Sequence, residues 1–151
     1  MKQLKFLMIA AITIFATSCE EKVSDNDDVE IGTHIGVLTV DQNDGTFYTQ
    51  ENVSIVFESE ESVAKIKMLG VTFSSRMPLK LDMTIPNIMS SPTLSQTFSL
   101  SGDNIIPLAM GGEYPIYTIT SLTGEVTQQT IFFEMMCGTY PLAFSGVKVG
   151  E

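Results

Sequence analysis

The sequence predicts an all-β fold, an antiparallel body of roughly eight strands placed after an export signal and an acidic tether. Three observations carry that prediction. From Thr33 onward, apolar residues recur at every second position in short runs, and helical spacing is almost absent. Short segments rich in Gly, Asp, Asn and Pro join the runs and leave no stretch long enough for a crossover helix. Residues 1–18 combine Lys2 and Lys5 with an apolar run from Phe6 to Ala16 and a small-residue exit. That is the pattern of a secretory signal, and the run is too short to remain across a hydrocarbon core of ~30 Å.

The elements follow in order. A first strand spans 33–40, and residues 41–45 then form a turn in which Asp44-Gly45 supplies positive φ. The next strand, 53–58, places Val53, Ile55 and Phe57 on one face; 63–69 and 79–85 alternate in the same way. Pro86 and Pro92 bracket an Asn/Ser-rich loop, because proline removes ladder donors. A strand at 94–100 leads into a turn at 101–104. Strands 116–122 and 126–133 flank Thr123, Gly124 and Glu125, which reads as a hairpin turn, and 140–149 closes the chain.

Short links imply up-and-down antiparallel order. Closing such a sheet into a barrel removes its two edges, although the turn spacing permits an open β-sandwich equally well. An eight-stranded barrel is either filled by its own side chains or holds one small ligand. The alternating set Ile55, Phe57, Leu81, Met83, Phe98, Ile119, Phe132 and Phe144 supplies the expected interior contacts for such a ligand.

Cys19 follows Ala16, Thr17 and Ser18 directly, as in a bacterial lipoprotein signal. On that pattern the chain is cut before Cys19 and the thiol carries a diacylglycerol, anchoring the protein to the outer membrane of a cell envelope. Leu is usual three residues before the cysteine, where Ala16 stands, and the same exit also fits plain secretion with Cys19 as the mature end. Residues 20–30 contain six acids against Lys22, too polar to repay ordering, so 19–31 is expected as a flexible tether. An acidic tether behind a lipidated cysteine resembles the surface-export signal of Bacteroidetes lipoproteins.

Charge and chemistry narrow the function classes. The chain carries 18 acidic against 8 basic residues, with no basic cluster denser than Lys65, Lys67, Arg76 and Lys80. Nucleic acid is therefore not expected as a partner. Cys137 is the one cysteine beyond Cys19, so the body holds no internal disulfide, and Cys137 reads as a small buried hydrophobe. His34 is the single histidine; it excludes a second imidazole and reads as a partly exposed barrel residue. Met135 and Cys137 share a face that Met136 does not, too few soft ligands for a metal site. Asp41, Asn43, Asp44 and Gly45 echo a calcium loop but lack its closing Glu. No nucleophile elbow, phosphate-cradling loop or zinc helix motif occurs. The expectation is a non-enzymatic protein with no catalytic residues, cofactor or metal.

Residues 32–40, 66–73, 77–86, 122–124 and 142–146 together resemble the calycin-like β-barrel lipoproteins of Bacteroidales. That resemblance covers nearly all of residues 32–150. It implies a lipocalin-like barrel in the domain spanning 32–151, with a ligand in its mouth. The functional expectation is a binding module, held at the envelope through Cys19, for a small apolar ligand or a partner protein. Its alternative is an accessory subunit of an envelope complex, with a filled barrel and function on loops 86–93 and 107–115.

Overall fold

The structure, a computed structural model, describes residues 30–93 and 96–149. Residues 1–29 lie outside the described residues, and with them Cys19, the signal and most of the expected tether. In chain order the elements are β1 (Glu30–Asp41), β2 (Phe47–Glu60), β3 (Val63–Val71), β4 (Leu81–Pro92) and β5 (Phe98–Gly102). There follow the short β6 (Leu108–Ala109) and β7 (Gly112–Glu113), a 3-10 turn (Pro115–Tyr117), β8 (Ile119–Val126), β9 (Thr130–Cys137) and β10 (Tyr140–Lys148).

Hydrogen-bonded neighbours run β3-β2-β1-β10-β9-β8-β5-β4, and a β3–β4 pairing closes the ring. Every ladder is antiparallel. The result is a closed, eight-stranded up-and-down barrel of calycin or lipocalin-like shape, and not a sandwich. Beyond β5, the short β6 continues along the same edge of β4 through Met83↔Ala109 and Thr84↔Leu108, with Ala109 in the core, and β7 pairs back on β6. We call the end where β1 enters the lower end, and the end where β1 turns into β2 the upper end. Among the described residues, every ladder and the whole buried apolar core lie between residues 30 and 148, the arrangement of a unit with its own core.

Alternation sets the interior. One row across the ladders runs Leu38–Phe144–Phe133–Gly124–Leu100–Ser90, and another runs His34–Ile55–Met68–Met83–Ala109. Phe133 stacks on Phe144 with ring centres 5.6 Å apart. Leu38, Ile55, Ile66, Met68, Met83, Ile85, Ile119, Phe133 and Phe144 have no surface that solvent can touch. A void wide enough for a water molecule would expose the side chains around it, so none separates these residues and the barrel is filled where they meet. On the outer wall Glu58 receives Lys65 at 3.4 Å and Lys67 at 3.6 Å, half-exposed pairs worth about 0–1 kcal/mol each.

Four expectations are corrected. Residues 86–92 are not a loop: β4 continues through Pro86 to Pro92. Asn87 adopts φ 57°, and Pro86 and Asn87 together face Lys65 alone between the pairs Ala64↔Ile88 and Ile66↔Ile85. This bulge takes the proline out of the ladder without ending the strand. The β8–β9 turn is not at 123–125 but at 127–129, where the Thr127 hydroxyl accepts from the amides of Gln129 and Thr130. Gly124 belongs to the strand because Phe133 needs its space; a Cβ there would come within 2.7 Å of Phe133 Cβ. β1 starts at Glu30, with Glu30↔Ser59 and Ile31↔Glu58, two residues inside the expected tether. Finally, His34 is not partly exposed: it points inward and is 2% exposed, sharing the parity of Leu38 and Val40.

Candidate functional site

The upper end is built from three segments that the sequence keeps far apart. The turn after β1 is shaped by its own side chains: Asp41 Oδ1 accepts from the Asn43 amide at 2.8 Å, and Asn43 (φ 64°) and Gly45 (φ 91°) reverse the chain. Gln42 Nε2 donates to the Phe73 carbonyl at 2.9 Å, and Asn43 Nδ2 to the Thr139 carbonyl at 2.8 Å. The turn is thereby stitched to the β3–β4 loop and to the β9–β10 turn.

The β3–β4 loop folds inward as a plug. Gln50 clasps its start, donating to the Gly70 carbonyl at 2.9 Å and accepting from the Thr72 amide at 3.0 Å. Tyr48 and Thr72 hydroxyls meet at 2.7 Å. Phe73 is buried edge-on to Tyr117 at 4.9 Å and stacked with Tyr140 at 6.2 Å, and the Phe73 amide donates to Met77 Sδ at 3.2 Å. Ser74 closes the loop, its carbonyl accepting from the Met77 amide at 3.2 Å and its hydroxyl from the Arg76 amide at 3.3 Å.

Outside the plug lies an open cleft of about 560 Å³. Gln42, Asp44, Thr46, Phe47 and Tyr48 form one wall, 74–77 the other, with Tyr140 beside them. Asp44 Oδ1 accepts from the Thr46 hydroxyl at 2.6 Å and the Thr46 amide at 2.9 Å. The Thr46 hydroxyl first, then the Thr46 amide, hold the Asp44 carboxyl below its ordinary pKa, with the Arg76 charge a smaller aid. The cleft is a polar acceptor–donor surface flanked by rings, preformed by the hydrogen bonds behind it.

The eight residues expected to touch an interior ligand divide. Ile55, Phe57, Leu81, Met83, Ile119 and Phe144 point into the barrel, against one another. Phe98 is half-buried at the lower end, where with Val126 and Thr127 it lines a shallow depression. Phe132 is corrected: it is 43% exposed on the outer wall, and Phe133 takes the interior place because it is Phe133 that pairs with Phe144. None of the eight borders the upper cleft. In the sequence Asp44 stands out only as a turn residue and in an incomplete echo of a calcium loop, Arg76 only as one of few bases, and nothing local pairs them.

The other reactive groups lie apart from the cleft. Cys137 is buried, and burial pushes its thiol pKa up to about 12, so it stays protonated. Among the described residues, neither His34 ring nitrogen has a partner at full hydrogen-bond geometry. Burial first, and the charge of Lys148 second, hold His34 below its ordinary pKa of 6.5, while the Gly32 backbone pulls the other way. Among the described residues, no three His, Cys, Asp or Glu side chains gather as a metal ion would require. No described helix is long and apolar enough to cross a membrane. No family model matches the chain, and neither a curated protein nor a solved structure matches it. What fold and site define is a class: a filled calycin-like barrel with a polar cleft on its upper rim.

Proposed function

We propose that the protein is a lipid-anchored, non-enzymatic binding module of the cell envelope, and that it binds at its upper rim, not inside its barrel. The observation that carries this reading is the contrast between a packed interior and a preformed cleft of about 560 Å³ outside it. The anchor rests on Cys19 and its signal, and the Bacteroidales lipoprotein resemblance supports it. β1 starts at the lower end, so a chain tethered through its N-terminal segment carries the cleft on its far side. The sole imidazole is inside the barrel on β1, and the Cys137 thiol is held protonated, which supports a binding role over nucleophilic catalysis.

Metabolic labelling with a fatty acid tests the anchor. Label is expected in the native chain and absent from Cys19→Ser, and label retained by the variant would refute lipidation at that residue. A second reading, the accessory subunit, is favoured by the β6–β7 hairpin. Met110 there is 68% exposed, and Leu108 and Ile106 beside it are also exposed. Crosslinking from position 110 in cells that retrieves one stoichiometric envelope protein would favour it.

A further inference from the structure

We propose that the upper cleft is a saccharide site: a neutral, polyhydroxylated ligand is held between Asp44 and Arg76, beside the ring of Tyr140. This rests on the rim being the binding surface and adds the chemistry of what is bound there.

Charge separates the ligand classes. The chain has a formal net charge of −10, yet the cleft holds one carboxylate, Asp44, and one guanidinium, Arg76. A phosphate-like dianion gains little from a balanced pair and is repelled by the rest of the molecule. A fatty acid or other apolar ligand would strip water from Gln42, Thr46, Ser74 and Ser75 and return no hydrogen bonds. A ligand covered in hydroxyls both donates and accepts, so it serves a carboxylate and a guanidinium together. Asp44 Oδ1 is taken by Thr46, which leaves its second oxygen to accept. The Arg76 side chain forms no ion pair with the described residues, and its N–H donors are open to a ligand.

The rings fit the same class. A sugar presents a face of C–H groups as well as its hydroxyls, and such a face packs on the electron-rich face of an aromatic ring. Tyr140 lines the cleft with Phe73 stacked behind it, so its position is fixed by the plug. Phe47, 67% exposed, stands on the opposite wall. The walls are held before any ligand arrives, through Gln42 to Phe73, Asn43 to Thr139 and Met77 to Ser74, which lowers the entropy cost of binding.

The test uses the barrel from residue 30 onward, applied to an array of neutral and acidic glycans. Glycans that bind are then titrated into the ¹⁵N-labelled protein, with palmitate, inorganic phosphate and an envelope extract in parallel. Expected is saturable binding of a neutral glycan that moves the amides of Asp44, Thr46, Ser75, Arg76 and Tyr140. Arg76→Ala and Asp44→Ala should each weaken it about tenfold, and Val147→Ser on the outer wall should leave it unchanged. Binding of acidic glycans alone, or glycan shifts confined to other residues, overturns the proposal. If palmitate, phosphate or the extract moves these amides and no glycan does, the saccharide assignment fails while rim binding stands. If no probe moves them, both fail.

Discussion

The two ends of the barrel solve the same problem in opposite ways. At the upper end, the polar side chains closest to the core are paired: Gln50 with Gly70 and Thr72, Tyr48 with Thr72, Gln42 with Phe73. At the lower end, His34, Ser59 and Ser90 are buried polar side chains, and among the described residues both nitrogens of His34 and the hydroxyl of Ser90 have no partner. An unmet buried donor or acceptor costs about 1–3 kcal/mol, so the lower end carries a penalty that the upper end avoids. The comparison teaches where precision is kept. Hydrogen bonds are concentrated behind the cleft, whose walls need fixed positions.

Four substitutions bear on this contrast, from the largest effect to the smallest. Phe73→Ala removes the plug; it should cost about 3–5 kcal/mol in chemical denaturation and loosen the cleft walls. A loss below about 1 kcal/mol would mean that the plug does not hold the upper end. His34→Leu puts an apolar side chain in that place and deletes two nitrogens without partners; a gain of about 1–3 kcal/mol is expected at neutral pH. Gln50→Ala frees the Gly70 carbonyl and the Thr72 amide, and should cost about 1–2 kcal/mol. Ser90→Ala should be neutral or stabilising by about 1 kcal/mol, the opposite sign from Gln50→Ala. Equal signs for these last two would remove the distinction between the ends.

Acid should sharpen the same contrast. Burial lowers the folded-state pKa of His34 below 6.5, so the unfolded chain binds the proton more readily. The stability tied to His34 is then complete above pH 6.5 and declines as pH falls through that value toward the folded pKa. Denaturation midpoints measured across this window should fall in the native protein and fall less in His34→Leu. Identical slopes would place the acid sensitivity elsewhere.

Much of the fold was legible because alternation and turn chemistry are local. The hairpin turn at 41–45, the apolar faces of β2 and β3, and antiparallel order through short links are readable from neighbouring residues, whereas closure into a barrel, and not a sandwich, is set by the β3–β4 pairing. The misreadings share one cause, a residue whose role is set by a distant strand. Pro86 looked like a strand end because the bulge at Asn87 forms only against Lys65 of β3. Gly124 looked like a turn because the need for its missing side chain lies in Phe133. Phe132 and Phe133 alternate equally well taken alone; the parity of Met135 and the buried Cys137 points to Phe133, and the register with β10 places it inside. The cleft was the least legible part, since Asp44, Arg76 and Tyr140 meet only after the ring closes.

The central claim, a packed interior with binding at the rim, is tested most directly by methionine-methyl NMR of the barrel during titration with fatty acids, glycans and envelope extract. Met77 reports the cleft, and Met68 and Met83 report the interior. Shifts of the Met77 methyl, with Met68 and Met83 unmoved, are the expected result. Saturable shifts of Met68 and Met83 would contradict it, because they would place a ligand where the structure has only side chains.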